Sequence, residues 1–87
     1  MSQTLHAIEG RVIGPEGSAV AGAVLSIVES TVVLPELSQL SDNSGTFRMS
    51  LPTGTFTVEA RSGGGDLRGQ ATFQLPGEAH VTLVLSP

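Results

Sequence analysis

The fold class this 87-residue sequence predicts is all-β: a single domain of around seven short antiparallel strands stacked as a two-layer sandwich. Three observations carry that prediction. Apolar and polar residues alternate with a period of two in most segments, turn signals recur roughly every ten residues, and no segment sustains a helical period. The most informative stretch runs from Ser41 to Ala60. It holds two turn signals, Asp42-Asn43-Ser44-Gly45 and Leu51-Pro52-Thr53-Gly54, each followed by an alternating segment. Phe47, Met49 and Leu51 share one side of a strand, and Phe56, Val58 and Ala60 share one side of the next. The pair reads as an antiparallel hairpin with one apolar face.

The other elements follow in order. Leu5 to Ile13 is a strand with Ile8 and Val12 on one face and Glu9 and Arg11 on the other. Gly14-Pro15-Glu16-Gly17-Ser18 is a turn, because Pro presets φ and Gly supplies φ > 0. Ala23 to Ser30 is a strand that is apolar on both sides, with Leu25 and Ile27 on one and Val24 and Val28 on the other, as expected of a central or covered strand. Thr31-Val32-Val33-Leu34 is β-branched and strand-like until Pro35, which lacks an N–H. Thr46–Leu51 and Thr55–Arg61 are strands, followed by a glycine-rich loop at Ser62–Asp66. Gln70–Leu75 places Ala71, Phe73 and Leu75 in phase. After the turn at Pro76-Gly77-Glu78, His80–Leu85 places Val81, Leu83 and Leu85 in phase.

Composition excludes several function classes. The chain is 39% hydrophobic and 14% charged, so it can build a core and lacks the signature of disorder. With no Cys there is no disulfide, thiolate nucleophile or cysteine metal cluster. With no Trp or Tyr, the usual stacking platforms for sugars and bases are missing. The four basic residues, Arg11, Arg48, Arg61 and Arg68, are all arginines, so no lysine chemistry is open to the chain. A net charge of −4 with scattered acids repels a phosphate backbone, which argues against nucleic-acid binding. No apolar stretch approaches membrane-spanning length. The N-terminus shows no secretory signal, so the chain is expected to be cytoplasmic as it stands, or extracellular if it is a piece of a longer secreted protein.

The chain resembles the carboxypeptidase regulatory-like domain family. The residues that carry the resemblance are Gly10-Arg11-Val12, Gly17, Ala21-Gly22-Ala23-Val24, Ser41 through Phe47, Leu51 through Val58, and Arg61. The family's usual form has Thr-Asp where Ser41-Asp42 stands and commonly Tyr at Phe56. Both changes keep a hydroxyl beside the turn aspartate and an aromatic ring in the core. The resemblance implies a Greek-key sandwich of the transthyretin-like or immunoglobulin-like kind. It also implies a non-catalytic module, appended to peptidases, receptors, adhesins and secretion components. Within the motif, Asp42 is placed to accept backbone amides two or three residues on, and Gly45 to supply φ > 0.

Candidate chemistry is thin. Asp42-Asn43-Ser44-Gly45 has too few oxygens for calcium and reads as an Asx-type turn. His6 and His80 make half a zinc site with no evident third ligand, even though the terminal strands could be neighbours. Gly-x-Ser-x-Gly is absent. The fold also hosts hydrolases of a urate-breakdown intermediate, but their C-terminal Tyr-Arg-Gly-Ser signature is replaced here by Leu83-Val84-Leu85-Ser86-Pro87. Lys–Asn isopeptide bonds of adhesin-type relatives are excluded by the missing Lys. Gly63-Gly64-Gly65 lacks the Lys and following helix of a phosphate loop.

The segment from Thr31 to Leu40 is the one place where a functional reading competes with a structural one. Its apolar residues either fold over the sandwich edge to complete a small core or form an exposed patch that docks a partner. The expected function is therefore a non-catalytic accessory or protein-interaction module with no cofactor and no metal. It binds a partner protein, a neighbouring domain or a second copy through a sheet edge and the 31–40 segment. Val32, Val33, Leu34, Leu37 and Leu40 are the candidate contact residues. The alternative is a passive structural spacer of a larger secreted or cell-surface protein, with its termini at opposite ends.

Overall fold

The computed structural model describes residues 4–34, 38–77 and 80–87. It contains β1 (His6–Ile13), β2 (Val24–Ser30), β3 (Ser38–Leu40), β4 (Thr46–Leu51), β5 (Gly54–Arg61), β6 (Arg68–Leu75) and β7 (His80–Val84). These form a three-stranded sheet in the order β4-β1-β7 and a four-stranded sheet in the order β3-β2-β5-β6. The alternating residues named from sequence turn inward. Ile8, Val12, Phe47, Leu51, Val81 and Leu83 come from one sheet and Leu25, Phe56, Val58, Ala60, Phe73 and Leu75 from the other, all buried in one shared layer. The Phe56 and Phe73 rings, opposite one another in the β5–β6 ladder, sit 5.9 Å apart within that layer.

Phe47 has a particular partner. It stands opposite Gly10 in the β1–β4 ladder, and its ring lies where a Cβ on Gly10 would be. The glycine leaves room for the ring, and the ring covers a stretch of backbone that would otherwise pack against nothing.

The hairpin expected from Thr46–Leu51 and Thr55–Arg61 is not formed. β4 pairs with β1, whereas β5 pairs with β2 and β6 in the other sheet. The chain crosses from sheet to sheet at Leu51-Pro52-Thr53-Gly54, so the two apolar faces meet across the core instead of lying side by side. Pro52 is buried and has no N–H with which to extend a ladder. The arch is pinned beyond it: Thr31 N–H donates to Thr55 O at 3.1 Å, and Thr55 N–H donates to Thr31 Oγ1 at 3.0 Å.

Two further expectations are corrected. The terminal strands are neighbours, but β1 and β7 run parallel, alone among the described ladders. Thr31–Leu34 is not a strand. Ser30 Oγ accepts from Val32 N–H at 3.1 Å and donates to Val32 O at 2.7 Å, bending the chain away from β2. The missing strand is supplied instead by Ser38–Leu40, which pairs with Val24–Ser26. β2 lies inside its sheet, as a strand apolar on both sides was expected to, and its outer face stays open, with Val24 40% and Val28 45% exposed.

The Gly10–Phe47 contact makes a direct prediction. Gly10→Ala should cost about 1–3 kcal/mol by overpacking. Gly14→Ala, whose Cβ would meet Val20 Cγ2 at 3.7 Å and Ser18 O at 3.8 Å, both ordinary contact distances, should change little. Urea melts of both variants check this, and equal losses would contradict the packing account.

Candidate interaction surface

The Ser41–Gly45 turn organises one end of the sandwich. Asp42 Oδ1 accepts from Ser44 N–H and Thr46 N–H, both at 2.9 Å, and from Ser44 Oγ at 3.2 Å. The amides reached are thus two and four residues on. Those bonds, Thr46 first, hold the exposed Asp42 carboxyl below the usual aspartate range. Gly45 adopts φ +75°, and a Cβ there would lie 2.7 Å from Val12 O. This glycine therefore answers both to backbone conformation and to close approach. Ser41 does more than the sequence reading assigned to it. It is buried, its Oγ accepts from Ala23 N–H at 2.9 Å and donates to Val20 O at 2.7 Å, and so it fastens the 20–23 connection to the turn. A serine beside a turn aspartate gives no sign in sequence that its hydroxyl will face inward.

The five candidate contact residues do not gather into one patch. Val32 and Leu34 are half-buried and pack against the core, as in the structural reading of the segment. Val33 is 100% exposed, beyond the Ser30 end of β2. Leu37 lies outside the described residues. Leu40 is 65% exposed and stands opposite Val24 at the other end of β2.

Leu40 and Val24 continue across the sheet in register with Arg61 and Arg68. The outer face therefore shows an apolar corner beside two guanidinium groups. Glu59 bonds both Gln70 Nε2 at 3.1 Å and Arg61 Nε at 2.9 Å. The Gln70 bond foremost keeps the Glu59 carboxyl below the ordinary glutamate range.

On the opposite face, Glu9 pairs with Arg48 at 3.2 Å across β1 and β4. Both ends are in solvent, so the pair contributes about 0–1 kcal/mol. Glu9 also stands opposite His80, and these side chains line a shallow, open depression. His6 Nε2 lies 2.9 Å from Thr53 Oγ1, away from that group. Among the described residues no three His, Asp or Glu side chains converge as metal ligands.

The carboxypeptidase regulatory-like domain family matches residues 7–86. No curated protein sequence matches. Among solved structures, the chain is similar to a DUF3823 family protein from Parabacteroides merdae, with a TM-score of 0.75 and 22% identity. That similarity covers 99% of this chain and 48% of the other, so the chain spans about half the length of that protein. At such identity the likeness concerns the fold alone.

Two outcomes follow from the turn. Ser41→Ala strands the Ala23 amide and should cost about 1–3 kcal/mol in a denaturant melt; an unchanged melt would remove the fastening role. Asp42 has a folded pKa below its unfolded one, so its contribution is present above the ordinary aspartate range. It is lost as pH falls through the lower folded value. Carboxyl NMR titration should place Asp42 below a reference peptide, and a midpoint at or above that reference contradicts the amide bonds.

Proposed function

The chain belongs to the carboxypeptidase regulatory-like domain family, and on that premise we propose that it is a non-catalytic accessory module that binds a partner protein or a neighbouring domain. The contacts we assign are the β3 edge with Leu40 and Val24, together with the exposed Val33 of the 31–40 segment. The observation that carries this reading is the pairing of two exposed, apolar side chains, Leu40 on the edge strand β3 and Val24 on its neighbour β2, at one corner of the four-stranded sheet. Burying a Leu or Val side chain against a partner is favourable by about 1.5–3 kcal/mol each. The adjacent Arg61 and Arg68 suit a partner carrying carboxylates at the rim.

A second reading, the passive spacer, is favoured by a different observation. Because β1 and β7 are parallel neighbours, the chain enters at one end of the sandwich and leaves at the other. Such a path suits an in-line unit in an array.

Immobilised domain incubated with extract of its native host, followed by mass spectrometry, separates the two. The accessory reading expects a specific partner whose capture falls about tenfold or more with Leu40→Asp while the thermal melt is unchanged. Identical capture by both proteins refutes the assigned surface, and no capture above a control domain favours the spacer.

A further inference from the structure

The outermost strands of the two sheets differ in how their open backbone edges are protected. β3 has three residues. β4 is capped at both Thr46, whose N–H donates to Asp42, and Arg48, whose carbonyl accepts from Gln39 Nε2 at 2.9 Å. β6 has eight residues and contains no Pro, no Lys and no bulge, the devices that usually blunt an edge. Its first residue, Arg68, exchanges two backbone bonds of 3.0 Å with Ser86, on the side away from β5. Backbone groups alternate sides along a strand, so the N–H and C=O of Gln70 and Thr72 and the N–H of Gln74 point the same way. Among the described residues, none of these groups has a backbone partner. The edge is closed at Arg68 and open from Gln70 to Gln74.

We propose that this edge takes the C-terminal segment of a partner protein as an added antiparallel strand, with the partner's α-carboxylate beside Arg68. A strand laid here must stop at Gln70. Ser86 already pairs with Arg68, and the Val84 carbonyl and Leu85 Cδ2 crowd Gly69. β6 of a second copy, centred on Thr72, is rejected for that reason, since its Leu75 and Pro76 would fall where Leu85 and Ser86 stand. A chain that ends at Gln70 meets no such conflict. Charge then fixes the direction. The ion pairs among the described residues are Glu9–Arg48 and Glu59–Arg61, and the exposed Arg68 takes part in neither. An antiparallel guest reaches Gln70 with a carboxylate. A parallel guest would begin there with an ammonium group, near the guanidinium groups of both Arg68 and its cross-strand neighbour Arg61. In the antiparallel guest one carboxylate oxygen accepts from Gln70 N–H as the last rung. The other has Arg68 as its diagonal neighbour on the outer face, a separation that a long side chain spans. Guest residues opposite Gln70, Thr72 and Gln74 lie among uncharged amides and hydroxyls, and those opposite Ala71 and Phe73 extend the apolar layer.

This site is separate from the Leu40–Val24 corner and goes beyond the role assigned to it. The probe is the peptide Ac-Thr-Val-Thr-Val-Thr with a free C-terminal carboxylate, compared with the same peptide as its C-terminal amide. NMR titration of the intact chain with millimolar peptide should show saturable shifts of the Gln70, Thr72 and Gln74 amide signals. The free acid should bind about two- to fivefold tighter than the amide at low salt. Arg68→Gln should abolish that preference with the native melt kept, because the bonds to Ser86 use only backbone. Leu40→Asp should bind the free acid as the wild-type chain does. Should Arg68→Gln lose its native melt, the comparison of acid with amide on the wild-type chain decides. Unmoved amides at 70, 72 and 74, equal affinity for acid and amide, a preference that survives Arg68→Gln, binding lost with Leu40→Asp, or a second copy occupying this edge each overturns the proposal.

Discussion

The carboxylate of Asp42, reaching forward to the amides of Ser44 and Thr46, is the contact on which the arrangement of this sandwich depends. It closes a turn tight enough for Gly45 to press against the Val12 carbonyl, and Val12 N–H returns the contact by donating to Gly45 O at 2.7 Å. β4 is thereby launched alongside β1 in the register that sets Phe47 over Gly10. Ser41, one residue earlier, ties the same turn to the strand that opens the opposite sheet through Ala23. Five consecutive residues thus position strands in both layers, which is why polar side chains at the rim matter to a core of aliphatic and aromatic ones.

The core itself is simple, and its consequences appear at the edges. Two sheets that face each other with one apolar layer between them leave four outermost strands. Each must be shortened, capped or used. The turn that organises the fold also caps β4, and Gln39 reaches across from the other sheet to the same strand. On the far side the two sheets are bridged at Arg68 and Ser86, and Gly69 leaves space for the Val84 carbonyl to come close. Beyond that bridge β6 stands clear. The unequal treatment of the edges, more than any pocket or charge cluster, distinguishes one part of this surface from another.

Much of the fold was legible residue by residue. Whether a side chain points inward is a local property of an extended backbone, and every strand read from alternation keeps the inward set expected of it, from Ile8 and Val12 to Leu83 and Leu85. The role of Gly45 was legible for the same reason, since left-handed backbone is a property of one residue. The strand-like reading of Thr31–Leu34 failed because β-branched composition is weaker than a hydroxyl that bonds the chain back on itself, as Ser30 does to Val32. Of the contact residues suggested by hydrophobicity, Val32 and Leu34 pack on the core while Val33 and Leu40 face solvent at opposite ends of β2. A run of apolar letters does not say which of them the core has room for.

By itself, then, the chain's order of residues determined the class of fold, the turns and the inward face of each strand, because these follow from the stereochemistry of neighbours. Which strand lies beside which was decided only in three dimensions. A period of two is equally satisfied by a hairpin and by an arch between sheets, so Thr46–Leu51 and Thr55–Arg61 could be adjacent or opposed with the same pattern. The choice rests on long-range contacts, Gly10 under Phe47 and Thr31 against Thr55, that no local signal encodes. The parallel β1–β7 pair and the open edge of β6 are consequences of that choice.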